Sequence, residues 1–173
     1  MLEEYRKQSF KYAEDIGLCS GFTKQYVKKH YGFICREGWA RRVGAAVIKM
    51  LNEDIDVLQM GLYNGYDQEF NSGGTVIKME IKCRSYDVPY RWAKISANEN
   101  KSGLIDSGEG WILEYYDKLH RWWIWDLSKY TPVFEPNGYQ HTKYTAESDN
   151  NYEVVEDAYL FDRRKATFTG KLY

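Results

Sequence analysis

Between Arg36 and Arg84 the apolar residues change their spacing, and that change limits the folds open to the chain. From Arg36 to Asn52, the residues Trp39, Val43, Ala46, Val47 and Met50 recur at helical intervals and form one apolar stripe. From Asp54 onward the interval falls to two. DIDVLQMGLY sets Asp54, Asp56 and Leu58 on one face of a strand and Ile55 and Val57 on the other. VIKMEIKCR, residues 76–84, sets Lys78, Glu80 and Lys82 against Ile77, Met79, Ile81 and Cys83. An amphipathic helix followed by such strands requires a layered domain, because each apolar face needs a second layer to cover it.

The flanks fill in the order of elements. Residues 3–16 predict a first helix ending near Gly17, and Thr23 is placed to cap a second, TKQYVKKHY, that stops at Gly32. YNGYDQEFNSGG carries Asn64-Gly65 and Gly73-Gly74 and reads as a turn-rich connection. SYDVPYRW contains a proline and reads as a loop, and residues 92–105 as a short helix. WILEYYD and RWWIWDL predict two aromatic strands joined tightly, with His120 as a turn residue. From Tyr130 the chain holds Pro132, Pro136 and Asn137-Gly138, then a polar acidic stretch, and ends on a strand at Ala166–Leu172. The expected fold class is α/β or α+β, a mixed central sheet flanked by helices. At 173 residues it forms one domain: an N-terminal helical element (1–35), a core (36–128) and a C-terminal extension (129–173).

Composition narrows function less than pattern does. Aromatics reach 17%, and Trp122, Trp123 and Trp125 are expected in the core, since a strand must bury one face. Net charge is −1, so no bulk field marks a polyanion binder, yet Lys24, Lys28 and Lys29, then Arg36, Arg41 and Arg42, form local basic clusters. Lys24 and Lys28 lie one helical turn apart and could touch phosphates; the plain alternative is a solvated helix face. Three cysteines without a CxxC pair argue against a disulfide framework and for a reducing interior. Cys19, His30 and Cys35 lack a fourth partner for a zinc site. The start, MLEEYRKQSF, is charged, and no run reaches transmembrane length, so a cytoplasmic protein without a membrane partner is expected.

Chemistry concentrates on two acids. If the strand of Asp56 pairs antiparallel with that of Glu80, their carboxylates converge on one side of the sheet. Such a pair suits a hard divalent cation, with water and substrate phosphate completing its shell. Lys82 projects from the same face as Glu80 and can neutralise charge developing on a phosphodiester. Asp54 shares the face of Asp56, so either could be the upstream acid. Glu37 lies beside the apolar stripe in the expected first turn of its helix, where the helix dipole also favours a carboxylate.

A helix with an early Glu, a strand with an Asp and a strand ending in Glu-x-Lys resembles the PD-(D/E)XK nuclease superfamily, the restriction-endonuclease-like fold. The matching residues are Glu37, Asp56 in DIDVL, and Glu80-Ile81-Lys82, and the resemblance spans about residues 36–128. Ile55 stands where the family pattern has proline. The resemblance implies Mg²⁺-dependent phosphodiester hydrolysis, with Mn²⁺ a possible substitute. In it Asp56 and Glu80 bind metal, Glu37 assists, and Lys82 acts on the attacking water. DNA is the expected partner ahead of RNA, with Lys24, Lys28, Lys78, Arg84 and Lys94 as candidate contacts and a homodimer possible. The tripeptide alone carries little weight, because Glu99-Asn100-Lys101 repeats it in a polar loop. Two other functions fit the same pattern: a nucleic-acid-binding module without turnover, or a protein-interaction domain using the aromatic hairpin.

Overall fold

A computed structural model describes residues 3–85, 91–99, 103–145 and 150–173 of the chain. Three helices come first: α1 Glu3–Asp15, α2 Lys24–Lys29 and α3 Tyr31–Leu51. Thr23 caps α2 as expected, its Oγ1 accepting from the Tyr26 N–H at 3.1 Å. Gly32 does not end a helix, for α3 begins at Tyr31 and runs through it. An interior glycine costs a helix about 1 kcal/mol. Burial of Ile34, Cys35 and Gly38 in the next turn outweighs that. Glu37 therefore lies in the second turn of α3, further from the helix end than expected.

Six strands form one mixed sheet in the order β1-β2-β3-β5-β6-β9: β1 Val57–Gln59, β2 Gln68–Ser72, β3 Thr75–Arg84, β5 Trp111–Tyr116, β6 Arg121–Asp126 and β9 Phe168–Lys171. Strand β3 changes partner along its length. Residues 75–79 pair antiparallel with β2, and residues 79–84 pair parallel with β5. Beyond Met79, the edge of β3 that faced β2 is left open. The aromatic hairpin is present: β5 and β6 pair antiparallel and His120 takes a left-handed turn conformation (φ 51°).

Each face of this sheet is covered. Ala40, Val43, Val47 and Ile48 of α3 pack on Phe70, Met79, Ile81, Leu113, Tyr115, Trp122 and Ile124. The other face presents Ile112, Tyr116, Trp123 and Trp125 to the short helix α4 (Leu104–Ser107) and to a second sheet of order β4-β8-β7. That sheet comprises β4 Trp92–Ser96, β7 Val133–Thr145 and β8 Asn150–Asp162. The architecture is the expected α+β one, with a three-stranded sheet added to the helices as a covering layer. All three hairpin tryptophans are buried, as expected of core residues.

Two segments differ from expectation. Residues 92–96 form a strand where a short helix was expected, and residues 133–145 and 150–162 form two antiparallel paired strands where the sequence showed only turn residues and a polar acidic stretch. Pro136 and Asn137-Gly138 do not end β7; they sit in a bulge between Glu135 and Tyr139, with Asn137 at φ 55°. Strand β7 is an outer strand, where a missing N–H costs no ladder bond. Asn100 and Lys101 of the second Glu-x-Lys copy lie outside the described residues, after a 3-10 turn at Ala97–Glu99. Among the described residues, no helix is long and apolar enough to cross a membrane.

α1 packs on α3 through Gly38. A Cβ there would stand 2.3 Å from the Ser9 carbonyl oxygen and 2.9 Å from Ala13 Cβ, so only hydrogen fits unless α1 moves. Gly38→Ala is expected to destabilise the fold by on the order of 1–2 kcal/mol, overpacking outweighing the gain in helix propensity. Gly32→Ala, whose Cβ would meet nothing nearer than Arg36 Nη1 at 3.9 Å, should be neutral or stabilising. Thermal unfolding of the two variants checks this; a Gly38→Ala midpoint at or above the wild type would show that the helix contact is loose.

Candidate functional site

The site lies where β2 leaves β3. Met79 pairs with Gln68, the last residue of the ladder. One residue further, Asp67 turns its carboxylate into the gap, and its Oδ2 accepts from the backbone N–H of Ile81 at 2.7 Å. A side chain here takes the place of a strand carbonyl, satisfying a donor that would otherwise be buried unpaired. The Asp67 N–H donates to the Met79 carbonyl at 3.0 Å, so residue 67 is fixed to β3 through both main chain and side chain.

Four charged side chains converge beside this gap. Glu80 and Lys82 come from β3, Asp67 from the end of the β1–β2 loop, and Glu37 from α3. They line one pocket of about 370 Å³, walled by Phe33, Leu62, Tyr63 and Tyr66. The open edge of β3 admits a helix side chain from one face and strand side chains from the other. Lys82 Nζ bonds Glu80 Oε1 at 2.8 Å, with 18% and 17% of the two side chains exposed.

The expected strand acid is elsewhere. Asp56 is fully exposed (103%), 3.7 Å from Lys49, and Asp54 is exposed as well. Strand β1 begins only at Val57, after a turn in which the Ile55 N–H donates to the Asn52 carbonyl. Strand β1 also pairs with β2, not with β3, so Asp56 has no route to Glu80. The structure thus brings together Glu37, Glu80 and Lys82 of the expected set, leaves Asp56 outside, and adds Asp67. QEFNS, which glycine turns flank, forms strand β2 inside the stretch expected to be a turn-rich connection. A signal for it existed. A two-residue Gly73-Gly74 turn joins Ser72 to Thr75, and counting back in pairs from there sets Asp67 opposite Glu80.

The expected phosphate contacts divide in two. Lys24, Lys28 and Lys78 are exposed. The α2 helix that carries the first two reaches the pocket rim through a hydrogen bond between the Tyr26 and Tyr63 hydroxyls, and Lys78 Nζ lies 5.2 Å from the Tyr66 ring centre. Arg84 and Lys94 are held by the protein. Arg84 Nε is 3.9 Å from Glu114 Oε2 and its Nη2 donates to the Lys94 carbonyl. The Lys94 ammonium donates to the Gly138 carbonyl and lies 3.8 Å from Glu135.

Burial and mutual repulsion shape the acids. Burial pushes the Glu80 carboxyl up to about 7; Asp67 pushes the same way and Lys82 opposes. Asp67 is also raised, by burial first, with Arg41 opposing and Glu37 reinforcing. Among the described residues, no three His, Cys, Asp or Glu side chains are gathered into a complete metal-binding cluster. What the pocket holds is three carboxylates, of which Asp67 and Glu37 both disfavour the charge on Glu80. A hard cation bound by one or two carboxylates plus water and phosphate suits that donor set, whereas an all-protein cage does not. The three cysteines are free and carry no part of it.

No protein-family model and no curated protein sequence matches this chain. Among solved structures it is similar to a bacterial homing endonuclease, I-Ssp6803I, with 15% identity over 76% of this chain and 78% of that one, at a TM-score of 0.38. A superposition that loose fixes no activity; the side chains have to.

The raised Glu80 has a measurable consequence. The folded state binds this proton more tightly than the unfolded chain, so the stability it contributes is complete below about pH 4.5 and is lost as pH rises through about 7. Glu80→Gln mimics the protonated form at every pH. Its stability relative to wild type should rise between pH 5 and pH 8 by on the order of 2–3 kcal/mol in denaturant unfolding. Parallel curves for the two proteins would show that the pocket does not hold Glu80 protonated.

Proposed function

We propose that this protein is a metal-dependent nuclease that hydrolyses phosphodiester bonds in DNA, with Asp67 in the part the PD-(D/E)XK pattern gives to a strand aspartate. The observation that carries this reading is the convergence of Asp67, Glu80, Lys82 and Glu37 on one pocket at the open edge of β3. Asp67 and Glu80 are the residues that would hold Mg²⁺, or Mn²⁺ in its place, with Glu37 assisting. A bound ion of this kind supplies positive charge to a phosphate and lowers the pKa of a bound water. Glu80 keeps Lys82 Nζ at 2.8 Å. From there the ammonium orients the attacking water and offsets negative charge gathering on the phosphorus oxygens. Asp67 is rigid because Ile81 N–H and Met79 carbonyl fix it, which preorganises the acid pair before substrate arrives.

DNA passes over the rim formed by α2 and the start of β3, where Lys24, Lys28 and Lys78 meet phosphates. Arg84 and Lys94 act there indirectly, by holding β4 and the β7 bulge in place. Endonucleolytic action is the form proposed, and a cut through both strands calls for two such sites, hence a homodimer. The free cysteines suit action in a reducing interior.

The deciding experiment incubates plasmid, single-stranded DNA and RNA with the protein in Mg²⁺, Mn²⁺ or chelator. Metal-dependent DNA cleavage is expected from the wild type and from Asp56→Asn. Asp67→Asn, Glu80→Gln and Lys82→Ala should each lose about 100-fold or more in rate. Cleavage that survives Asp67→Asn but not Asp56→Asn would overturn the site. DNA binding without any cleavage by the wild type would favour a module that grips and does not cut.

Salt dependence tests the rim. Each lysine that meets a phosphate adds about 0.9 to the slope of log affinity against log salt on duplex DNA. Lys24→Ala and Lys28→Ala should each flatten that slope by about one and weaken binding alike on unrelated sequences. An unchanged slope would remove α2 from the interface.

A further inference from the structure

Arg41 lies one helical turn beyond Glu37 on α3 and is buried, with 1% of its side chain exposed. All three guanidinium nitrogens are engaged. Nε donates to the Met60 carbonyl at 3.1 Å, and Nη1 donates to both the carbonyl and Oε2 of Glu37, at 3.1 and 2.7 Å. Nη2 donates to the Gly61 carbonyl at 3.3 Å and lies 3.3 Å from Asp67 Oδ1. One planar fork therefore ties α3 to the entry of the loop that ends at Asp67, and touches two of the three pocket acids. A surface ion pair would need none of this. A buried guanidinium is costly unless its donors are matched, and here its matches include both outer acids.

Two effects of this fork on an ion in the pocket oppose each other. A fixed positive charge beside Glu37 and Asp67 repels a divalent cation and competes for the same oxygens. The same fork, however, fixes the loop at Met60 and Gly61 and aims Asp67 Oδ2 at Ile81 rather than at solvent. Loss of a group that orients a ligating side chain typically lowers metal affinity by about 10–100-fold. Arg41 competes closely only for Glu37 Oε2, at 2.7 Å. Its contact to Asp67 Oδ1 is long at 3.3 Å, and the Met60 and Gly61 bonds that place the loop take no carboxylate oxygen, so at Asp67 the orienting effect is the larger.

We propose that Arg41 is a positioning residue that locks Asp67 and Glu37 into the pocket and sets its affinity for a divalent cation. What the acids bind rests on the nuclease reading above; the locking of the acids does not. A lysine cannot replace the fork, because one ammonium cannot reach two carboxylates and three carbonyls at once.

The test compares wild type with Arg41→Lys and Arg41→Gln by three readouts. Amide exchange at Ile81 reports the Asp67 bond without any metal, titration with Mn²⁺ alone reports affinity, and kcat is set against DNA binding in Ca²⁺. Both variants are expected to lose Ile81 protection at least about 10-fold, to bind Mn²⁺ about 10–100-fold more weakly, and to lose kcat with DNA binding unchanged. Unchanged Ile81 protection in a folded variant overturns the proposal. So does tighter Mn²⁺ binding, which would make Arg41 a mere competitor, or a wild-type Arg41→Lys, which would make charge sufficient. Should both variants fail to fold, the wild type still decides. Its Arg41 guanidinium and Ile81 amide protons must then exchange slowly without metal, and fast exchange at either overturns the proposal. A wild type that binds neither Mn²⁺ nor Mg²⁺ sinks the nuclease reading, while Ile81 exchange still settles the role of Arg41.

Discussion

Strand β3 hands over from β2 to β5 at Met79, and the pocket depends on that exchange. A strand paired on both sides along its whole length would present Ile81 N–H to another backbone, with no room for a carboxylate. Because β2 stops at Gln68, the ladder opens for one donor, and Asp67 closes it with a side chain. The parallel partner β5 keeps the far half of β3 rigid meanwhile. An acid held by a sheet backbone rather than by a free loop is a precise acid.

The gap also sets the electrostatic cost of the site. Asp67 is buried and Glu80 half-buried; Asp67 raises the proton affinity of Glu80, and Glu37 raises that of both. Arg41 and Lys82 answer them one apiece, Arg41 from the helix layer and Lys82 from the strand itself. A core built for stability alone would place apolar residues here, since buried ion pairs seldom beat a hydrophobic replacement. Two acids with raised proton affinity beside two cations therefore need a reason other than stability.

Much of this was legible without coordinates. The Arg36–Asn52 stripe, the aromatic hairpin and the Glu80–Lys82 pair are all where spacing put them, because local periodicity reports local structure. Glu37 stands in the second turn of α3 and not the first, since α3 starts five residues earlier than its apolar stripe suggests. Asp56 lies away from the pocket because the alternation in DIDVL starts before the strand proper, while the short QEFNS strand hides between glycine turns. The pairing of β7 with β8 is hidden in the sequence behind Pro136 and Asn137-Gly138, residues that end most strands but that a bulge on an outer strand tolerates.

By itself the sequence determined the element types, the amphipathic faces and the charged pair on β3, since helix and strand periods are properties of neighbours in the chain. It also contained the register of β2 on β3, through the Gly73-Gly74 turn. Tertiary structure decided which aspartate stands beside Glu80, and that Arg41, one of several arginines on a basic helix, is the buried link between Glu37 and Asp67. Those outcomes depend on which strand lies next to which and on where a ladder stops, and neither is a property of any single segment.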